Sequence, residues 1–364
     1  MSLFKFFSCC LPSRQSKRTP VLDSPVAAVS PVAVSPTSPN IQDVFLLDMP
    51  DLVMREILKN LDFLTIQRLQ KTSYSLRKFI DNVKIDSGLK SFKIEMTRDT
   101  MFGSATVLIQ GYSSSKFIKS NYIDNEDGKC EVKTGDCNII VNGNFVDVYS
   151  EDFLIPMLKN QKSLLTTLKL GRGDTLVPGL FEKVFDCLMK VLESRDRLLQ
   201  IEDLEVSVQG QDQLMQLLYN IDPKSLKRLE VRRLVENDQK DNVEIMLDLS
   251  VLEDSENLKE LRVFNFTISS PLRSIAHVPK LEVYIHTIYC DDVLKYHDVS
   301  QANPTLLKTN FLSTSSINYQ QFLDKLRFKN ILGPSDRRFY FPISGTILLS
   351  HYPSLKHMYW GPNH

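Results

Sequence analysis

Apolar residues between positions 49 and 83 recur at spacings of three and four, which places them on one face of a helix. Three such faces follow one another: Val53, Ile57, Leu58 and Leu61, then Ile66 and Leu69, then Leu76, Phe79, Ile80 and Val83. We expect Asp48 and Pro50 to start the first helix, and Thr65 and Ser73 to cap the second and third. The pattern therefore predicts three short helices. A unit this small buries little surface by itself, so we expect it to pack against a partner.

The spacing of apolar residues changes from helical to alternating after Ser87, which indicates β-strands. Strands are predicted at 89–97, 105–111, 115–123, 129–132, 138–141 and 144–149. Asp127-Gly128 and Asn142-Gly143 fall between consecutive strands and are typical of tight hairpin turns. The segment therefore predicts a small antiparallel β meander.

Helical stretches alternate with short strands from Glu151 onward. Predicted strands that share an L-x-V or L-x-L core lie at 166–170, 202–208, 225–231, 257–266 and 279–285. Helices are predicted between them at 178–195 and 211–221. Stacked strand-plus-helix units bury their apolar faces against each other, which predicts an irregular α/β solenoid resembling leucine-rich repeats. The expected fold class is therefore mixed, α+β followed by α/β.

Both ends of the chain have a biased composition. Residues 12–40 contain six prolines and six serines, and such a segment buries too little surface to offset its ordering entropy. We therefore expect a disordered tail over residues 1–40. Residues 331–364 are rich in aromatic side chains and contain the one tryptophan, Trp360. We favour a cap over the open end of the solenoid for this segment, with anchors for a partner as the alternative.

The overall composition narrows the function classes. The chain has 364 residues with 44 basic and 44 acidic side chains, so no net charge attracts nucleic acid. Six cysteines in this length form no dense disulfide framework, which indicates an intracellular protein. We expect a cytoplasmic location, with a nuclear or membrane-associated one as the alternative. No run reaches the roughly 18 apolar residues of a membrane-spanning helix.

Adjacent Cys9 and Cys10 lie close to three phenylalanines and are followed by basic residues. This arrangement would suit acylation and a reversible, peripheral contact with a membrane. A disordered tail with an accidental cysteine pair is the simpler interpretation. Lipidation at these two residues stays the alternative.

Motifs that carry chemistry are missing from the sequence. It contains no G-x-x-x-x-G-K-[ST] phosphate loop, no G-x-G-x-x-G after a strand, no H-E-x-x-H and no G-x-S-x-G. Cys130 and Cys137 have no histidine between them and no second pair at zinc-like spacing, which favours two ordinary strand thiols over a metal site. We therefore expect no catalytic residue, no cofactor and no metal, and a protein that is not an enzyme.

The helical segment has a specific order of residues: Met49-Pro50, Leu52, Ile57-Leu58, Leu61, Asp62-Phe63-Leu64, Ile66, Leu69, Ser75-Leu76-Arg77 and Phe79-Ile80. In this order it resembles an F-box, with Leu76 where many F-boxes carry tryptophan and Thr72 where an aliphatic residue is usual. The resemblance implies docking on a Skp-type adaptor. The residues expected to bind that adaptor are Pro50, Leu52, Ile57, Leu58, Leu61, Leu64, Ile66, Leu69, Leu76 and Phe79.

Two later stretches, EDFLIPMLKNQKSLLTTLKL from Glu151 and the segment from Asn257 to Leu294, are similar to the FTH domain. An F-box followed by this domain is typical of the nematode F-box A family, and the resemblance covers roughly Phe45 to Asn330. It predicts an F-box over 41–87, a β-rich connecting region over 88–150 and an FTH domain over 151–330.

This resemblance implies the substrate-recognition subunit of an SCF-type ubiquitin ligase. Such a subunit reaches a cullin through the Skp-type adaptor and holds a target protein with its C-terminal domain, and the family does not identify that target. A protein-interaction scaffold outside ubiquitin ligases, tethered to a membrane through Cys9 and Cys10, is the alternative.

Overall fold

The computed structural model describes residues 49–97, 100–108, 115–125, 127–172, 179–234, 245–285, 309–313, 329–330, 339–340, 346–352 and 355–361. The chain divides into two compact units, Met1–Ile85 and Asp86–His364. Cys9, Cys10 and Asp48 lie outside the described residues, as does the whole tail predicted over 1–40.

Three helices form the described part of the first unit: α1 (Asp51–Lys59), α2 (Phe63–Thr72) and α3 (Tyr74–Val83). Pro50 occupies the capping position of α1. Asp62 caps α2, so the prediction of Thr65 as the cap is wrong. The Asp62 carboxylate accepts the Thr65 backbone N–H at 3.0 Å and the Thr65 hydroxyl at 2.7 Å, so the helix begins three residues earlier than predicted.

The second unit contains a 14-stranded sheet among its described residues. Its strands are β1 (Leu89–Met96), β2 (Thr100–Leu108), β3 (Ser115–Asn125), β4 (Lys129–Thr134), β5 (Cys137–Asn142), β6 (Leu165–Arg172), β7 (Ile201–Val208), β8 (Arg228–Arg233), β9 (Met246–Leu247), β10 (Glu260–Ile268), β11 (Lys280–Ile285), β12 (Thr309–Ser313), β15 (Thr346–Tyr352) and β16 (Leu355–Gly361). A separate antiparallel pair is formed by β13 (Lys329–Asn330) and β14 (Phe339–Tyr340). The α-helices described in the second unit are α4 (Phe145–Tyr149), α5 (Ile155–Leu158), α6 (Leu180–Glu193) and α7 (Gln211–Leu218). A π-helical turn, Ser150–Leu154, joins α4 to α5, and 3-10 turns lie at Ser250–Leu252 and Leu272–Ser274.

The order of strands across the sheet is β15-β16-β12-β11-β10-β8-β7-β6-β1-β2-β3-β4-β5, with β9 beside β10. Strands β1 to β5 pair antiparallel with their neighbours in the chain, as the alternating pattern predicts. Strands β6, β7, β8, β10, β11 and β12 pair parallel. β1 joins the two parts because it pairs parallel with β6 and antiparallel with β2. The mixed α/β class is confirmed, whereas curvature like that of leucine-rich repeats stays a prediction.

One row of leucines crosses the parallel part of the sheet. The strand register pairs each of them with the next, and all are fully buried: Leu168, Leu204, Leu229, Leu261 and Leu281. Their spacing along the chain is uneven because segments of different length connect the strands, but their depth in the sheet is the same. The irregular L-x-V and L-x-L repeat is therefore a continuous buried row in three dimensions.

Phe145–Tyr149 form a helix, so the prediction of a sixth strand over 144–149 is wrong. Asn144 caps α4 by accepting the backbone N–H of Val146 at 3.0 Å. Asn142-Gly143 consequently leads into a helix and makes no hairpin. The hairpin between β4 and β5 turns instead at Gly135-Asp136, where Gly135 has a φ of 57° that favours glycine. The predicted Asp127-Gly128 turn does join β3 to β4.

Aromatic rings from α4 and the π-helical turn form the core beneath the meander. Tyr149 and Phe153 have ring centroids 5.8 Å apart, and Phe153 also stacks on Phe92 of β1 at 5.6 Å. The rings of Tyr149 and Tyr122 on β3 make a T-shaped contact with centroids 5.3 Å apart. Gly103 of β2 lies directly against this cluster, because a side chain there would occupy the space of the Phe153 and Tyr149 rings.

The start of β1 is fixed by two side chains. The Asp86 carboxylate accepts backbone N–H groups of Gly88, Lys162 and Ser163 at 3.2, 2.7 and 2.9 Å. The buried Gln161 side chain accepts the Leu89 N–H at 2.9 Å and donates to the Leu89 carbonyl at 3.1 Å. These bonds tie the first residues of the second unit to the loop before β6.

Two strands of the segment predicted as a cap extend the sheet. β15 and β16 pair antiparallel as a hairpin, and β16 pairs antiparallel with β12. The backbone of residues 346–352 and 355–361 therefore continues the sheet past its parallel strands. A capping role for this segment stays a prediction.

Candidate functional site

The three helices of the first unit are held together by a small apolar core. Leu58, Ile66 and Ile80 are buried together, one from each helix. Partly buried side chains that pack against them are Leu61, Leu69, Phe79 and Ile85. Full burial of an aliphatic side chain contributes about 1.5–3 kcal/mol, so these contacts supply most of what keeps the unit folded.

Polar contacts add to the packing of α2 against α3. Arg77 on α3 donates from Nε to the carbonyl of Gln70 on α2 at 3.1 Å. The Gln70 side chain in turn donates to the Asp81 carboxylate at 2.9 Å. Because these bonds link two helices that adjoin in sequence, they fix the angle at which α3 leaves α2.

Large apolar side chains also lie on the outside of this unit. Leu52 is 71% exposed, Val53 is 44% exposed and Tyr74 is 78% exposed. The apolar spacing groups Val53 with Leu58, but Leu58 is fully buried whereas Val53 is exposed, and the buried residue next to it is Met54. A single exposed leucine is ordinary, but adjacent Leu52 and Val53 at the start of a helix offer apolar surface that the described residues of the first unit leave exposed.

Nine of the ten residues predicted to bind the adaptor fall into three groups. Those buried in the core of the unit are Leu58, Ile66 and Leu76. Those that are half-buried are Ile57, Leu61, Leu69 and Phe79. Those that are exposed are Pro50 and Leu52. Leu64 lies in α2, and its side chain is outside the described part of the structure.

Sequence reasoning missed Val53 and Tyr74 as exposed apolar residues of this unit. Tyr74 follows the capping residue Ser73 directly, and this first position of a helix points away from the apolar face of α3. The position of Tyr74 in the sequence could therefore have predicted that its side chain is exposed. The sequence does not predict the exposure of Val53, because Val53 and Met54 are adjacent in the helix and both are apolar.

A second surface lies on the sheet of the other unit. Alternate residues of the parallel strands point away from the buried leucine row, and we call this side the open face, defined by Lys169, Glu205, Glu230, Arg262 and Glu282. The register places these five residues in one row across β6, β7, β8, β10 and β11. A second row on the same face, two residues earlier on each strand, contains Asp203, Arg228, Glu260 and Lys280.

Ion pairs connect the charged side chains of the open face. Arg262 lies 2.6 Å from Glu260, 3.7 Å from Glu282 and 3.8 Å from Glu230. Lys280 reaches Glu260 at 2.8 Å, and Lys169 pairs with Glu205. Each acidic group in the two rows therefore has a base within reach, and the face presents charges held at fixed positions with little net charge.

The ion pairs affect the titration of Glu260. Burial raises the pKa of this carboxyl, but the hydrogen bond from Lys280 and the charge of Arg262 lower it more, so its pKa lies below the ordinary value of 4.5. Glu260 is therefore charged at neutral pH. Arg232 also lies 4.5 Å from the ring centre of Phe264, which adds a cation–π contact at the neighbouring row.

Three further observations concern a thiol, metal ligands and membrane spans among the described residues. Burial raises the pKa of the Cys130 thiol to about 12, so this group is protonated and a poor nucleophile at neutral pH. In the described ranges, no three or more His, Cys, Asp or Glu side chains gather to hold a metal ion. No helix in those ranges is long and apolar enough to cross a membrane.

Comparison with known proteins identifies two domains in the chain. The F-box domain model matches residues 46–87, which include all of α1, α2 and α3. The FTH domain model matches residues 182–329, which run from within α6 to the start of β13. No curated protein matches the chain, and no solved structure does. The predicted combination of an F-box with an FTH domain is confirmed, while the nematode origin stays a prediction.

Proposed function

We propose that this chain, which joins an F-box domain to an FTH domain, is the substrate-recognition subunit of an SCF-type ubiquitin ligase. The F-box domain supports a role as a ubiquitin-ligase adaptor in general. In the proposed function, the F-box binds a Skp-type adaptor and through it a cullin, and the second unit holds a target protein. No residue of this chain performs covalent chemistry in this role. Its contribution is to raise the effective concentration of the target near the ubiquitin carrier.

The observation that carries the proposal is the apolar surface of the F-box domain. Leu52 and Val53 are exposed on α1, whereas Leu58 on the same helix is fully buried. We infer that Pro50, Leu52 and Val53 contact the adaptor and that Leu58, Ile66 and Leu76 hold the helices in place for them. Leu52 and Val53 are 71% and 44% exposed, so covering both amounts to about one full burial, or about 1.5–3 kcal/mol, which corresponds to roughly tenfold to a hundredfold in affinity.

We assign the target to the second unit, and its open face is the surface we favour. Charges there are ordered by their ion pairs, so little side-chain freedom is lost when a partner binds. Because acidic and basic groups alternate along the row of Asp203, Arg228, Glu260 and Lys280, the face suits a polar protein surface of mixed charge.

The test of the adaptor contact is co-precipitation of the full chain from cells. Wild-type chain should bring down a Skp-type adaptor and a cullin. Leu52→Asp with Val53→Asp should lose both, because charge on the exposed part of α1 prevents apolar contact. The helical content of the purified variant should be unchanged, since both positions are outside the core.

Two further variants make the result specific. Glu56→Ala lies on the same helix and only removes an exposed ion pair with Lys59 at 2.6 Å, so it should bind the adaptor normally. Leu58→Ala should destabilise the unit by about 2–5 kcal/mol, so any loss of binding there reports unfolding. If the wild-type chain brings down neither an adaptor nor a cullin, the ligase role is contradicted and a scaffold outside ubiquitin ligases is favoured.

The target side is tested separately by proximity labelling. With Leu52→Asp and Val53→Asp, targets should accumulate on the chain, because they are held but not ubiquitinated. Charge reversal at Lys280 should then reduce their labelling, while adaptor binding by a chain with an intact F-box stays normal. Unchanged labelling after charge reversal would exclude the open face as the target surface.

A further inference from the structure

One edge of the sheet is formed by a strand with unusual composition for that place. β5 is the last strand of the meander, and its far side has no neighbouring strand among the described residues. Its sequence, Cys-Asn-Ile-Ile-Val-Asn, contains no charged residue and no proline. Edge strands usually carry charges, prolines or bulges that prevent pairing with another chain. The six residues of β5 have none of these protections.

The hairpin geometry shows which backbone groups face the free edge. A two-residue turn at Gly135-Asp136 closes the pair of Thr134 and Cys137, and such a closing pair exchanges both of its hydrogen bonds. Hydrogen-bonded pairs then alternate along the ladder, so Ile139 and Val141 bond to β4. The N–H and C=O groups of Asn138, Ile140 and Asn142 therefore point to the free edge.

The strand is self-complementary about its centre. If two copies of β5 pair antiparallel about a twofold axis at Ile140, Ile140 faces Ile140, Ile139 faces Val141 and Asn138 faces Asn142. Every outward backbone group then finds a partner, and apolar side chains face apolar ones on both sides of the sheet. Ile140 is 66% exposed in the single chain, so it gains the most contact.

Charges near this edge do not oppose the pairing. Glu131 on the adjacent strand pairs with Lys133 at 3.0 Å and accepts a hydrogen bond from the Asn138 side chain at 2.6 Å. Both partners thus present a neutral edge to each other, and no like charges meet across the twofold axis. We propose that β5 pairs with β5 of a second copy of this chain, centred on Ile140, and forms a homodimer with one continuous sheet.

The size of the contact sets the expected strength. A strand pair of about five residues extends about 17 Å, and alone it falls below the roughly 1,200 Å² that stable interfaces bury. The dimer should therefore be weak, with dissociation in the micromolar range. This association uses an edge of the meander and is independent of the ligase role proposed above.

Sedimentation velocity of the full chain tests the dimer, over concentrations from about 1 to about 200 µM to bracket a weak interface. The wild-type mass should rise from monomer to dimer across this range. Ile140→Lys should stay monomeric, because two positive charges would face each other at the axis. Phe117→Lys is the matched control, since Phe117 is 65% exposed on β3, which pairs with β2 and is separated from β5 by β4, and it should dimerise as wild type does.

Cysteine cross-linking tests the register and does not depend on the lysine variants. Residues facing each other in a hydrogen-bonded antiparallel pair have Cα atoms about 5.5 Å apart, within the range of a disulfide. Ile140→Cys should therefore form a covalent dimer on mild oxidation, whereas Phe117→Cys should not. Chains with Asn138→Cys and with Asn142→Cys should cross-link only when mixed.

Three outcomes would overturn the proposal. The first is a monomer at every concentration, and the second is a dimer that persists in Ile140→Lys. The third is equal cross-linking of Ile140→Cys and Phe117→Cys. Binding of an extended segment of a different protein along β5, in place of a second copy, would give the first outcome and would also overturn it.

Discussion

Replacing Gly103 by alanine should destabilise the second unit, because the new methyl group would overlap two aromatic rings. An ideal Cβ at Gly103 lies 2.7 and 2.8 Å from two ring carbons of Phe153 and 2.9 Å from a ring carbon of Tyr149. Non-bonded carbon atoms pack at about 3.5–4.0 Å, so the rings would have to move by roughly 0.6 Å or more. Gly103 has no positive φ that favours glycine, so the effect is purely one of space.

Neither ring has room to make this movement. Both are fully buried, Phe153 is stacked on Phe92, and Tyr149 lies against Tyr122. Overpacking of this kind costs about 1–3 kcal/mol, while the lower entropy of the unfolded alanine chain offsets about 0.4–1 kcal/mol. We expect a net loss of about 1–2 kcal/mol in the free energy of unfolding, which lowers the melting temperature by about 2–8 °C for a unit of this size.

Urea denaturation of the full chain, combined with hydrogen exchange of peptides from β1 to β3, would measure this change. Gly171→Ala is the matched control on β6, because its nearest neighbour is the flexible Lys169 side chain at 3.4 Å. It should be neutral or slightly stabilising. Adding Phe153→Leu to Gly103→Ala should cost less than Phe153→Leu costs alone in the wild type, because the smaller side chain makes room for the methyl group. Equal stability of Gly103→Ala and Gly171→Ala would refute the close packing of this core.

Two other predictions concern hydrogen bonds and charge in the second unit. Asp86→Ala removes the acceptor of three backbone N–H groups and should lower the free energy of unfolding by about 1–3 kcal/mol. Asp86→Asn should lose less, and the urea midpoints of both variants measure the difference. Equal midpoints would contradict the role of Asp86 as the acceptor of these hydrogen bonds. The pKa of Glu260 is below its ordinary value of 4.5, so the unfolded chain takes up this proton more readily than the folded one. Its contribution to stability should be complete above pH 4.5 and should be lost as the pH falls through the folded-state pKa. Urea midpoints of wild type and Glu260→Gln should converge in acid, and parallel pH profiles would exclude this role.

Much of the fold follows from spacing alone. The helical period over residues 49–83 gives three helices, and the shared L-x-V and L-x-L cores give the parallel strands. One leucine from each of these cores lies in the buried row, because each parallel strand places a large apolar side chain at the same depth. The strands could be predicted despite their uneven spacing in the sequence, because only the connecting segments differ in length.

The errors have local physical causes. Residues 145–149 are apolar at four of five positions, and a buried strand and a buried helix share that pattern. The deciding feature is the Asn144 side chain, which caps a helix start. In the F-box domain, spacing separates the inner from the outer side of α1 only coarsely: it groups Val53 with Leu58, whereas the structure buries Met54 and Leu58. The self-complementarity of β5 is present in the sequence, but it gains meaning only once β5 is known to be an edge strand.

The place of β1 has a consequence for the order in which the second unit folds. β1 has hydrogen-bonded neighbours on both sides, but β2 follows it closely, whereas Ser91 pairs with Thr167, far later in the chain. Closing a long loop costs more entropy and slows folding, so the pairing of β1 with β2 should form first. During synthesis, β1 to β5 leave the ribosome before β6 does, so one side of β1 has no partner strand at first. The meander is therefore the part that can fold first, and the parallel strands are added to it from β6 onward.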